Sequence, residues 1–137
     1  MYAMRACAGC GNALSKRSQK RYCSVACQRA SERKLNVDRW LASGTAPHAG
    51  GARHYIRQHL REEQRDRCAI CGMDSVWHGA PLTLVLDHID GNASNNARSN
   101  LRLVCPNCDS QLPTYKARNR GNGRAWRRQR YADGKSY

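Results

Sequence analysis

LTLVLDHIDGNASNNARSNLRLVCPNC, residues 82–108, is the stretch on which the fold turns. Its first six residues, Leu82 to Asp87, are rich in strand formers and end in Asp87-His88-Ile89-Asp90-Gly91. A polar loop with Asn92, Asn95, Asn96 and Asn100 follows, and Leu101 to Val104 reads as a second short strand. Pro106 then stands where a helix can begin. The predicted order is strand, loop, strand, helix.

Working outward, Cys68-x2-Cys71 lies on one side of this unit and Cys105-x2-Cys108 on the other. Two such pairs can place four thiolates tetrahedrally around one Zn²⁺, closing both ends like a clasp and leaving no position open for chemistry, so a structural zinc is expected. The N-terminal region repeats the device with Cys7-x2-Cys10 and Cys23-x3-Cys27, where Gly9 and Gly11 supply backbone freedom for a tight knuckle. A second structural zinc is expected there.

Composition agrees with metal cross-links in place of a large core. A chain of 137 residues with no Phe, whose longest aliphatic run is Leu84-Val85-Leu86, has little apolar surface to bury. No segment approaches the roughly 20 apolar residues of a membrane span. The reading is a soluble, cytoplasmic protein, and in a reducing compartment paired cysteines bind metal rather than form disulfides.

Lys and Arg outnumber Asp and Glu by 24 to 10, which points to a polyanionic partner. From Thr114 onward the basic residues Lys116, Arg118, Arg120, Arg124, Arg127, Arg128, Arg130 and Lys135 face the single acid Asp133. The other reading is a solvated tail, which the interleaved Tyr115, Trp126 and Tyr131 weaken. Between the cysteine modules, Ser24 is a good N-cap for a helix from Val25 to Ser43, ended by Gly44. Gly44 to Gly51 reads as a linker, and a second helix is expected from about Ala52 to Arg67. Its apolar face is Tyr55, Ile56, His59 and Leu60 with Glu63; its other face carries Arg53, Arg57, Arg61 and Arg65, suited to a phosphate backbone or to ordinary pairing with Glu62 and Asp66.

The segment from Cys68 to Arg120 resembles the HNH endonucleases, in particular small phage-type and bacterial members with paired zinc knuckles. Asn100-Leu101-Arg102-Leu103-Val104-Cys105-Pro106-Asn107-Cys108, continuing through Ser110-Gln111 and Thr114-Tyr115, carries the likeness. The resemblance implies an α+β protein: a four-cysteine finger with its helix over 1–44, a linker and basic helix over 45–67, a ββα-metal (HNH, or His-Me finger) module over 68–120, and a basic tail over 121–137. It implies a DNA endonuclease, cutting one strand or two and leaving 5′-phosphate and 3′-hydroxyl ends.

Under that likeness His88 is the base that takes a proton from water, Asp87 the first ligand of a divalent cation, and Asn100 the residue that orients the loop and the imidazole. Most relatives carry His directly after the last Cys, and this chain has Asp109. Either Asp109 replaces that His as second ligand, or the site has lost its chemistry. Two carboxylates make a hard, anionic site, so Mg²⁺ or Mn²⁺ is expected over Ni²⁺ or Zn²⁺, and one of the acids should show a raised pKa when no cation is bound.

Arg57, Arg61, Lys116, Arg118, Arg120, Arg124, Arg127 and Arg128 are the expected contacts to double-stranded DNA. A homodimer or a larger phage or mobile-element complex fits the family. His48, His54, His59 and His78 read as surface or packing residues, and Asn92, Asn95 and Asn96 as turn chemistry. The rivals are a catalytically inactive zinc-dependent DNA-binding protein on the same scaffold, and an RNA-binding or RNA-cleaving module.

Overall fold

The computed structural model describes residues 4–46, 52–119 and 125–134, with 52–54, 117 and 125–128 described by their backbone alone. Two compact units divide the chain, Met1–Arg39 and Trp40–Tyr137.

In the first unit a turn returns the chain on itself, pairing Ala6 with Ala13. Gly11 adopts a left-handed φ of 76° and its N–H donates to Cys7 O at 2.9 Å, closing the knuckle. Helix α1, Val25–Ser43, starts where expected, with the Ser24 hydroxyl accepting from Cys27 N at 3.1 Å. It ends where expected too, at Gly44, whose φ is 66° and whose N–H donates to Trp40 O. Of its apolar residues only Trp40 is buried.

The second unit is built on the predicted strand, loop, strand, helix. Strand β3, Val85–His88, pairs antiparallel with β4, Leu101–Val104, in a register that sets Asp87 opposite Arg102 and His88 opposite Leu101. β3 starts three residues later than Leu82 and runs one residue past Asp87, so His88 is itself a strand residue. Helix α3, Pro106–Gln111, follows, with Pro106 in its first turn and Cys105 as N-cap.

Before this hairpin lies helix α2, Ala52–Gln64, which is shorter than the sequence pattern suggested. Arg65 and Asp66 take left-handed φ values of 53° and 54°, and the Asp66 N–H caps Arg61 O, so the chain leaves the helix to enter the Cys68 knuckle. Ile56 and Leu60 on α2 are buried with Trp40, Leu84, Leu101, Leu103, Val104, Cys68 and Cys105. Each large apolar side chain buried in this way contributes about 1.5–3 kcal/mol.

Gln64 completes the sheet edge. In this register Leu103 turns its main-chain polar groups away from β3, and the Gln64 amide takes both, accepting from Leu103 N and donating to Leu103 O at 2.9 Å each. A side chain thus stands in for a third strand at a buried residue. The small hairpin of β1, Val76–Trp77, and β2, Ala80–Pro81, turns through His78 and Gly79, both at positive φ. Helix α4, Ala125–Ala132, occupies the region read as a tail. No helix among the described residues is long and apolar enough to cross a membrane.

Candidate active site and metal clusters

Both cysteine quartets come together as the spacing required. The sulfurs of Cys7, Cys10, Cys23 and Cys27 all lie within 4.8 Å of one another, as do those of Cys68, Cys71, Cys105 and Cys108. Each quartet could hold one metal ion. Main-chain amides prepare the sulfurs for negative charge: Cys23 N reaches Cys7 Sγ at 3.3 Å, and Cys105 N reaches Cys68 Sγ at 3.2 Å.

One thiol in each quartet is strongly acidified. The amide of Cys10, then those of Cys23 and Gly9, outweigh burial and bring Cys7 down to about 6. Burial pushes Cys68 up, but the amides of Cys71, Cys105 and Ile70 outweigh it and leave Cys68 also at about 6. The last thiols go the other way. Cys27 is pushed up to about 12, first by its hydrogen bond with Cys7, and Cys108 to about 12, first by its hydrogen bond with Cys105. Four thiols this close cannot all ionise alone, and a central cation removes the conflict.

The second quartet also fixes the neighbouring site. Asp109 follows Cys108 directly on α3, its N–H donating to Cys105 O, while Asp87 and His88 end β3. Asp87, His88 and Asp109 line one open hollow together with Leu86, Gly91 and Lys116. Asp87 is buried, and its Oδ2 accepts from Arg102 Nε across the hairpin at 2.7 Å. Burial first, and then the charge of Asp87, raise the pKa of Asp109, against the opposing pull of Lys116. A carboxyl group whose pKa is raised by a neighbouring carboxylate suits a divalent cation shared with that neighbour.

The loop between the strands is held by its own polar residues. Asp90 N donates to Asn100 Oδ1, and Asn100 Nδ2 donates back to Asp90 Oδ1 and to Asn95 O. The Asn95 amide first, then Asn92 N and Asn100, hold the Asp90 carboxyl below its ordinary range. Gly91 sits at φ 76°, and a Cβ there would come within 2.3 Å of Asn119 Oδ1, so the turn after His88 admits only glycine without strain. The hydrogen bonds of Asn100 therefore go to the loop. The contact to His88 is made by Asn96, whose Oδ1 lies 3.0 Å from His88 Nε2. By sequence Asn96 reads as turn chemistry like Asn92 and Asn95, and no periodic signal separates it from them.

Against known proteins, no family model matches and no solved structure matches. A curated relative does: the H-N-H endonuclease F-TflIV of Escherichia phage T5 is 46% identical over 55 residues, which are 40% of this chain and 24% of the relative. Over that segment the chain is similar to an H-N-H endonuclease. It spans about a quarter of the length of the relative that it matches.

The basic residues expected at DNA divide by what they touch. Lys116 lines the hollow at a left-handed φ of 46°, with its ammonium 4.9 Å from the Tyr115 ring centre. Arg118 donates to Ser110 O and Leu112 O at the end of α3, Arg57 to Leu84 O, and Arg61 pairs with Asp66 at 2.6 Å. Arg57 and Arg61 thus have bonds within the fold, and Arg65 has left the helix. Arg120 and Arg124 lie outside the described residues, as does His48, and of Arg53, His54, Arg127 and Arg128 only the backbone is described. His59 packs edge-on against Trp40, with ring centres 5.6 Å apart, and His78 lies against Trp77.

Proposed function

We propose that this chain is a metal-dependent DNA endonuclease, holding two structural Zn²⁺ ions in its cysteine quartets and one Mg²⁺ or Mn²⁺ between Asp87 and Asp109. The observation that carries the reading is the meeting of Asp87, His88 and Asp109 at one solvent-open hollow in a chain similar to a phage H-N-H endonuclease. The all-thiolate quartets suit Zn²⁺ and leave it no open position, which separates their structural role from the chemistry.

The residues divide the work of phosphodiester hydrolysis. His88, half-buried at the strand end and reached from the hollow, accepts the proton of the attacking water. Asp87 and Asp109 offer hard oxygen donors from two elements fixed by the hairpin and by the quartet. Arg102 keeps one oxygen of Asp87 occupied, which leaves Oδ1 as its free donor. Lys116 adds positive charge at the rim, where the phosphate backbone arrives. A bound divalent cation would supply Lewis-acid stabilisation of the charge that builds on phosphate and leaving oxygen.

Nicking of supercoiled plasmid, with His88→Ala as comparison, tests the reading. Cleavage by the wild type in Mg²⁺ or Mn²⁺, with a loss of about 100-fold or more in the variant, is the expected result. A site whose activity in Ni²⁺ or Zn²⁺ exceeds that in Mg²⁺ contradicts the two-carboxylate assignment. Binding by both proteins with cutting by neither establishes the inactive DNA-binding scaffold, in which Asp109 does not replace the usual His as ligand. Preference for RNA over duplex DNA at fixed salt would select the RNA module.

A further inference from the structure

We propose that Asn96 is the residue that positions His88 for proton transfer, with Trp40 as its anchor; this rests on the nuclease reading for its consequence but not for its geometry. A carbonyl oxygen can only accept a hydrogen bond. With Asn96 Oδ1 3.0 Å from His88 Nε2, the contact is a hydrogen bond in the tautomer that has its proton on Nε2, which leaves the lone pair on Nδ1. Asn96 thereby fixes both the plane of the imidazole and the nitrogen that serves as base.

An orienting side chain is useful only if its own backbone is fixed. Asn96 lies in the long loop between β3 and β4, and two devices hold it there. Asn95 and Asn100 tie the loop to Asp90. From the end of α1, the fully buried Trp40 sends its indole Nε1–H to Asn96 O at 2.6 Å. Trp40 is itself gripped by the core, edge-on to His59, and its helix stops one turn later at Gly44. A rigid path therefore runs from the core indole through the Asn96 backbone to its amide and on to the imidazole. The path does not pass through Asn100, although the family resemblance would give that residue the task.

The test uses the full chain with its quartets metal-loaded and has two readouts. In ¹⁵N-edited spectra of histidine-labelled protein without added Mg²⁺, the His88 Nε2 proton should be visible through protection from exchange. It should vanish in Asn96→Ala and persist in Asn96→Asp, which retains an acceptor oxygen. In plasmid cleavage, Asn96→Ala should lose about 10- to 100-fold in kcat, with KM changed by less than about two-fold, and Asn96→Asp should recover most of the loss. Trp40→Phe keeps an aromatic ring but no donor, and should fall between wild type and Asn96→Ala.

Equal protection of the Nε2 proton in wild type and Asn96→Ala, or its absence from the wild type, overturns the proposal. So does an Asn96→Ala protein of full metal content that cuts at the wild-type rate. Should the wild type cut no DNA at all, the nuclease reading falls, and the spectra alone decide whether Asn96 holds His88.

Discussion

Gly91 shows how closely the loop after His88 is specified. It combines a φ of 76° with a space too small for a methyl group, where Asn119 Oδ1 would lie 2.3 Å and Thr114 Cγ2 3.0 Å from the added carbon. Asn119 Nδ2 meanwhile donates to Gly91 O at 2.6 Å, so the side chain that would have to move is already bonded to the residue being changed. Gly91→Ala should therefore cost about 1–3 kcal/mol in metal-saturated protein, from the left-handed backbone and the overlap together. The midpoint and slope of urea unfolding measure it, and an unchanged midpoint would show that Asn119 gives way freely. At this scale the sequence is only partly legible. Asp87, His88 and Asp109 stand out because few residue types perform their chemistry, whereas Asn96 is one of several asparagines and gains its partner only when β3 and the loop close.

Among the elements, legibility follows the source of each signal. Helix α1 is bounded by a hydroxyl cap and a glycine, both local, and its limits match the sequence reading. The end of α2 is set by Arg65 and Asp66 entering a left-handed conformation to reach the Cys68 knuckle, a demand of the metal cluster that side-chain periodicity does not record. Strands of two residues, as in β1 and β2, offer too few positions to show alternation. Gln64 is similar: a polar residue at a helix end looks unremarkable until β4 presents it with two main-chain groups. Because Leu103 is buried, Gln64→Ala should leave an N–H and part of a C=O demand unmet and cost about 1–3 kcal/mol, although Ala69 N still reaches Leu103 O. Urea unfolding of metal-loaded protein reads the loss, and amide exchange at Leu103 should quicken with it. A variant as stable as wild type, with Leu103 still protected, would mean that water replaces the amide.

For the whole molecule, charge is the property that organises the remaining argument. The formal excess of 24 basic over 10 acidic residues leaves a net charge of +14, and among the described residues several of the acids are paired: Asp38 with Lys34, Glu63 with Arg98, Asp66 with Arg61, Asp74 with Arg67 and Asp87 with Arg102. Pairing consumes cations one for one, so it leaves the net positive charge unchanged. On the proposed reading, DNA affinity should then fall steeply with salt, each phosphate neutralised adding about 0.9 to the slope of log affinity against log salt. The structure distinguishes among the basic residues. Lys116 lines the hollow beside Asp109, so Lys116→Gln should lower that slope by about 1 and weaken binding to all sequences alike. Arg57, whose guanidinium donates to Leu84 O, should contribute to folding more than to the slope, and Arg57→Gln should lower the unfolding midpoint while leaving the salt dependence near that of wild type. Titrations in Ca²⁺ or EDTA-free buffer without Mg²⁺, with metal content checked after each, separate the two effects. A slope that changes at Arg57 and not at Lys116 would put the phosphate path along α2 and away from the hollow, and the proposed cutting site would then have no backbone passing over it.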